Sequence, residues 1–105
     1  MKEITKTQSI PGLLGHIPDP PKALYMQGDP SLASRTDILY ICIVGPRKSS
    51  PYGQEVVRYI IEHLSQMNIV TVSGAAYGID AIVHSLSIKH SIPTIAVPGS
   101  GISDE

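Results

Sequence analysis

Three short glycine-bearing stretches hold most of the residues whose types suit chemistry. The first, Gly45-Pro46-Arg47-Lys48-Ser49-Ser50, sets two cations side by side. Arginine offers a planar fork to a phosphate, and lysine a mobile point charge. In an exposed loop the same pair can also stand solvated with no ligand. The second stretch, Ser73-Gly74-Ala75-Ala76-Tyr77-Gly78-Ile79-Asp80, leads on to His84. Asp80 and His84 are four apart and share a face if the segment is helical. Such a pair can serve as a general base or orient a nucleophile. It can equally fasten a helix start to its loop, where Asp favours the positive end. No cysteine accompanies the pair and Ser73 is the one obvious nucleophile nearby, so no catalytic residue is assigned. Tyr77 can stack on a base or simply pack. The third stretch is Pro98-Gly99-Ser100-Gly101.

These stretches must be positioned by the elements between them. Ile38-Leu39-Tyr40-Ile41-Cys42-Ile43-Val44 is a continuous apolar, β-branched run that stops at Gly45, and it reads as a strand buried on both faces. Ser50 can cap a helix with Pro51 in its first position. Val56, Val57, Ile60, Ile61, Leu64 and Met67 then recur on one face, with Glu55, Arg58, Glu62 and Gln66 opposite. Asn68 suits a left-handed cap at the end. Ile69–Ser73 reads as a second strand, closed by Gly74. A second helix is expected to begin near Gly78 or Ile79, with Ile79, Ile82, Val83 and Leu86 in phase. Pro93–Val97 reads as a third strand. Strands alternating with helices at this spacing predict right-handed βαβ units and a parallel sheet, hence an α/β fold.

Residues 1–36 differ in kind. Pro11, Pro18, Pro20, Pro21 and Pro30 rule out a long helix or a central strand, leaving a proline-rich lead-in. Residues 23–27 suit a short edge strand, ended by Gly28-Asp29-Pro30. The expected division is a lead-in over 1–36 and a core over 37–105.

Glycine closes each core strand at its carboxyl end: Gly45, Gly74 and Gly99. Ligands of open α/β sheets bind in the crevice outside those ends. A following helix N-terminus offers free N–H groups and a positive dipole to an anion. Three converging loops therefore point to a phosphate-bearing ligand, although any one such glycine could merely close a tight turn. A nicotinamide dinucleotide is not expected. The first loop lacks G-x-G-x-x-G spacing, and Ser73 stands where an acidic residue would hold a ribose. His16, His63, His84 and His90 show no ligand-like spacing, so no metal or other cofactor is expected.

The whole composition sets limits on this reading. With 105 residues the chain is one domain at most. A domain of this size buries only about 60–70% of its unfolded surface. No apolar run reaches the ~18 residues that span a bilayer, and Met1–Thr7 lacks the apolar core of a secretory signal. Cys42 is the single cysteine, which excludes an internal disulfide and fits a reducing cytoplasm. Net charge is −1, from 8 basic and 9 acidic residues. Strong nucleic-acid binders usually carry a basic excess, so any such site here must be local.

Taken together, the motifs resemble the DNA-processing protein A (DprA/Smf) family. Ile43-Val44-Gly45-Pro46-Arg47-Lys48, followed by Ser50-Pro51-Tyr52-Gly53, is similar to that family's first loop, G-S-R with a following S/T-x-Y-G. Ser73-Gly74-x-x-x-Gly78-Ile79-Asp80-x-x-x-His84 is similar to its S-G-x-A-x-G-I-D-x-x-x-H signature. Ala96-Val97 with Gly99-Ser100-Gly101 is similar to its A-V-x-G-S-G strand end. Ile17-Pro18-Asp19-Pro20-Pro21 with Leu24-Tyr25 and Gly28-Asp29 matches the segment before the core. The similarity runs from about residue 10 to 103.

The resemblance implies the first half of a Rossmann-like core, about three parallel strands with flanking helices. It implies single-stranded DNA binding, loading of the recombinase RecA during natural transformation, no enzymatic activity, and a homodimer in full-length members. It places a DNA-contacting arginine at Arg47, with Lys48, Gly45, Gly74, Gly78, Gly99 and Ser100 on the pocket rim. Ser73 and Gly101 lie within the same motifs. Two residues depart from the family pattern. Pro46 stands where serine or threonine is usual, and Tyr77 where arginine is common; both changes weaken anion binding.

The resemblance covers only half of the family's core. An artificial boundary, a broken gene or a self-pairing chain would each explain that. With strand order 3-2-1, the strand at 38–44 would also keep an unpaired edge, a self-association hazard. The rival function is a small nucleoside-monophosphate hydrolase. Its P-G-G-x-G-T-x-x-E motif begins like Pro98-Gly99-Ser100-Gly101, but Ile102-Ser103-Asp104-Glu105 does not supply the T-x-x-E continuation. A non-functional fragment is the third reading.

Overall fold

The computed structural model describes residues 4–7, 18–19 and 24–99. They fall into two compact units: those up to Asp37, and Ile38–Gly99. Ser100 and Gly101, two of the expected site residues, lie outside the described residues.

In the first unit β1 (Ile4–Thr7) pairs antiparallel with β2 (Leu24–Gln27), Ile4 opposite Gln27 and Thr7 opposite Leu24. The strand at Leu24–Gln27 matches the expectation for that segment. Its partner was not expected, because four residues give too short a pattern to read alone. Gly28 follows with φ 103°, a turn conformation that favours glycine. Asp29 then caps a short 3-10 helix, Pro30–Ser34, accepting from the Ser31 backbone N–H at 3.0 Å and the Ser31 hydroxyl at 2.7 Å.

The second unit runs β3 (Leu39–Cys42), α1 (Pro51–Leu64), β4 (Ile69–Gly74), α2 (Ile79–Lys89) and β5 (Thr94–Val97). Its three strands are parallel in the order β3-β4-β5. This is the expected α/β, Rossmann-like arrangement of three parallel strands with two helices. Successive crossovers move one way across the sheet, and right-handed crossovers of that kind put both helices on one face. The core shows the result. Val57 and Ile61 of α1 and Val83 and Leu86 of α2 cluster with Ile69 and Ile92, and Ile41 and Ile43 pack against them.

The reading of residues 38–44 as a strand buried on both faces is corrected by this topology. β3 is shorter, and among the described residues it is an edge strand with β4 as its one hydrogen-bonded neighbour. Leu39 is 55% and Val44 67% exposed. β4 is the truly enclosed strand, with Ile69, Val70, Thr71 and Ser73 all buried, because it is central.

α1 begins as expected. Ser50 is its N-cap, the hydroxyl accepting from the Gly53 N–H at 3.0 Å, and Pro51 takes the first turn. Val57 and Ile61 face the core, whereas Val56 and Met67 are exposed. Val56 points well round the helix from Val57 and Ile61, and Met67 lies beyond the helix end. The expected left-handed cap at Asn68 is also corrected. The helix ends at Leu64, and Asn68 is not among the residues with positive φ. The Met67 N–H bonds the Leu64 carbonyl at 2.9 Å and the Ser65 hydroxyl bonds Glu62 O at 2.8 Å, so the last carbonyls need no such cap.

The left-handed residue closes α2 instead. Ser91 has φ 59°, its N–H bonds Ile88 O at 3.1 Å, and the Ile92 N–H bonds Ser87 O at 2.8 Å. That pair of bonds is the Schellman closure. It delivers Ile92 into the core directly before β5.

Candidate functional site

Parallel strands put the loops after β3, β4 and β5 at one end of the sheet, so Gly45, Gly74 and Gly99 share that end. Two of the loops are locked together. The Ile79 N–H, first in α2, bonds Pro46 O at 3.3 Å. Gly78 has φ 83°, and a β-carbon on it would run into the carbonyl oxygens of Pro46 and Arg47. A β-carbon on Gly45 would lie 2.7 Å from the Ile79 side chain. Both glycines are thus demanded by the contact between the first loop and the start of α2. Gly99 differs, since nothing lies within 4 Å of its β-carbon position.

Arg47 and Lys48 are exposed on the first loop. The Arg47 guanidinium sits over the ring of Tyr77, 5.7 Å from its centroid. Within the described residues Arg35 pairs with Asp37 and Arg58 with Glu55, while neither Arg47 nor Lys48 has a carboxylate partner. A cation–π contact holds a guanidinium without cancelling its charge and contributes about 0.5–1 kcal/mol at an exposed site. Tyr77, read from the sequence as a lost positive charge, therefore places the cation that remains.

Ser73 is 2% exposed, and its hydroxyl donates to Ile43 O at 2.6 Å. It ties the ends of β3 and β4 together and faces the interior. His84 fastens α2 to the sheet. Its Nε2 meets Gly74 O at 2.8 Å, so that nitrogen carries a hydrogen, and its Nδ1 meets Thr94 Oγ1 at 2.7 Å. Thr94, Thr71 and Ser87 continue the chain of hydroxyls, at 2.8 and 2.7 Å, ending on Val83 O.

The Asp80–His84 pair weighed from the sequence does not form. His84 spends both ring nitrogens elsewhere, and Asp80 Oδ1 is buried without a hydrogen-bond partner. Asp80 lies against Gly74, where a β-carbon would come 2.5 Å from Oδ2. Its carboxylate stands in the first turn of α2, at the positive end of the helix dipole. Among the described residues no group of three or more His, Cys, Asp or Glu is placed to hold a metal. No described helix is long and apolar enough to cross a membrane.

Comparison with known proteins places this chain in a family. The model for DNA recombination-mediator protein A matches residues 3–105. The chain belongs to that family. The DNA processing protein DprA of Bacillus subtilis (strain 168) is 38% identical over 95 residues, covering 90% of this chain and 31% of that protein. Protein Smf of Synechocystis sp. is 39% identical over 93 residues, covering 88% of this chain and 23% of that protein.

Solved structures agree. DNA processing protein A from Streptococcus pneumoniae superposes with TM-score 0.85 at 29% identity, over 98% of this chain and 36% of that one. The Helicobacter pylori protein, described for its unique single-stranded DNA binding mode, gives 0.74 at 30% identity, over 93% and 45%. The chain thus spans under half the length of each of these relatives. The family resemblance expected from the motifs is the family found.

Proposed function

We propose that this chain binds single-stranded DNA, as a non-enzymatic DNA-processing module, through Arg47 and Lys48 on the first loop. The observation that carries the reading is Arg47, an exposed cation with no carboxylate partner among the described residues, set at the ligand-binding end of a parallel sheet. Family membership supports it, and so does the likeness to a Helicobacter pylori relative described for binding single-stranded DNA. The relatives favour it over the nucleotide-hydrolase reading. Of the other residues read as a pocket rim, Gly74 and Gly99 stand at the same end of the sheet, and Gly45 and Gly78 hold the first two loops together.

The wider role proposed is the one that the family resemblance implies. The strand bound here is one on which RecA is loaded during natural transformation and recombination. The proposed setting is the cytoplasm, and the proposed assembly of the longer protein is a homodimer. No catalytic part is proposed for Asp80 and His84: His84 holds Gly74 O and Thr94 instead of Asp80.

The test is fluorescence anisotropy with a short labelled oligo-dT at low and moderate salt. It compares the wild-type chain with Arg47→Ala/Lys48→Ala after circular dichroism shows both folded. Salt-sensitive binding, lost in the double variant, is the expected result. A folded wild type that binds no oligonucleotide would sink the proposal.

A further inference from the structure

We infer that Arg47 and Tyr77 form one seat for a single nucleotide of an unpaired strand, the guanidinium taking its phosphate and the tyrosine ring its base. This rests on the DNA-binding reading and deepens it, by naming what selects single strands.

Four observations converge on this seat. Tyr77 keeps 73% of its surface in solvent although Arg47 lies over it, so one large aromatic face is free. Core packing does not explain an aromatic left so open. The Arg47–Tyr77 spacing is set by backbone: the contacts of Gly78 with the Pro46 and Arg47 carbonyls and the Ile79-to-Pro46 hydrogen bond join the two loops directly beside both side chains. The charge on Arg47 is unspent, because its neighbour is a ring and not a carboxylate. Finally, the first turn of α2 holds the buried Asp80 side chain, and the exposed cations Arg47 and Lys48 stand on the first loop beside it.

The ligand chemistry follows from those parts. A bidentate cation next to an open aromatic face fits an anion joined to a planar ring, which is a nucleotide. In a duplex the base faces are already stacked on one another, so only an unpaired strand or a free nucleotide presents one. Every base has such a face, so the seat tolerates any sequence. Lys48, adjacent and exposed, takes the neighbouring phosphate of a strand, an addition that a free nucleotide cannot use.

The test measures binding of a labelled oligo-dT, the same oligomer made abasic, and a duplex. Unlabelled thymidine monophosphate serves as competitor. The proteins are wild type, Tyr77→Phe, Tyr77→Leu and Arg47→Ala, each shown folded by circular dichroism. Tyr77→Phe should keep oligo-dT binding. Tyr77→Leu should lose roughly five- to a hundredfold, the size of one base–aromatic stack, with its salt slope unchanged. Arg47→Ala should flatten that slope by about 0.7, one phosphate's share. The abasic oligomer should lose far less affinity than oligo-dT on going from wild type to Tyr77→Leu, since it loses only the ring's support of Arg47.

Equal oligo-dT binding by wild type and Tyr77→Leu would overturn the seat and leave the DNA-binding reading standing. Thymidine monophosphate competing as strongly as the oligomer would overturn its assignment to a strand. A folded wild type that binds no oligomer would remove both proposals together.

Discussion

A β-carbon on Gly78 would run into the carbonyl oxygen of Arg47, so the N-cap of α2 and the residue that carries the exposed cation lie backbone to backbone. No side chain fits between them. Gly78 also has φ 83°, outside the range that residues with a β-carbon adopt easily. One glycine thus serves local geometry and long-range packing together, and it sets where Arg47 stands.

Gly78→Ala should therefore cost about 2–4 kcal/mol, combining backbone strain with overpacking. Gly99→Ala, with open space around its β-carbon position, should change stability by under about 0.5 kcal/mol. Urea denaturation of the two variants beside wild type reads the contrast. Equal losses would mean that the contact at Gly78 is not what makes glycine necessary.

Ser91→Gly should stabilise the chain. Ser91 holds φ 59° in the closure of α2, and a left-handed conformation costs a residue with a β-carbon about 1–2 kcal/mol. Glycine removes that cost but loses more entropy on folding, leaving a net gain of about 0.5–1 kcal/mol. A melting temperature that fails to rise would contradict the closure described.

Thr71→Val keeps shape and removes the hydroxyl that links Ser87 to Thr94. Ser87 retains Val83 O and Thr94 retains His84, so neither is wholly orphaned. The expected loss is about 1–2 kcal/mol by urea denaturation, within the range for a buried hydrogen bond. A neutral substitution would show that the hydroxyl chain contributes no net stability.

Lys48→Ala alone should weaken oligonucleotide binding at low salt and reduce the slope of log affinity against log salt by about 0.7. Its fold should not change, because the side chain is exposed. An unaltered slope would remove Lys48 from the phosphate contacts and leave Arg47 as the cation to test.

Acidification should loosen the 3-10 turn after β2. Hydrogen bonds from the Ser31 side chain and backbone hold the Asp29 carboxyl below its usual range. A lowered folded value means that its support is present above the ordinary carboxylate pKa and lost as pH falls through the lowered one. A carboxyl-carbon NMR titration should show the low midpoint, and Ser31→Ala should move it upward. A midpoint unmoved by Ser31→Ala would reject these bonds as the cause.

The sequence by itself determined the alternation of strands and helices, the Ser50-Pro51 helix start, the glycine loops and the family. These are local properties: a β-branched run, a 3.6-residue repeat or a capping hydroxyl is legible within a dozen residues. Tertiary structure decided the rest. Whether Ile38–Val44 is enclosed depends on how many neighbours its strand has, and β3 has one hydrogen-bonded neighbour where β4 has two. Whether Ser73 faces a ligand or the interior depends on Ile43, thirty residues earlier, whose carbonyl takes its hydroxyl. His84 turned from Asp80 to Gly74 and Thr94 because strand register brought better partners within reach of both its nitrogens. Tyr77 became the support of Arg47 only when a glycine let two loops, some thirty residues apart in the chain, touch at the backbone. Contacts of this kind join positions far apart in sequence, and neither residue type nor spacing encodes them.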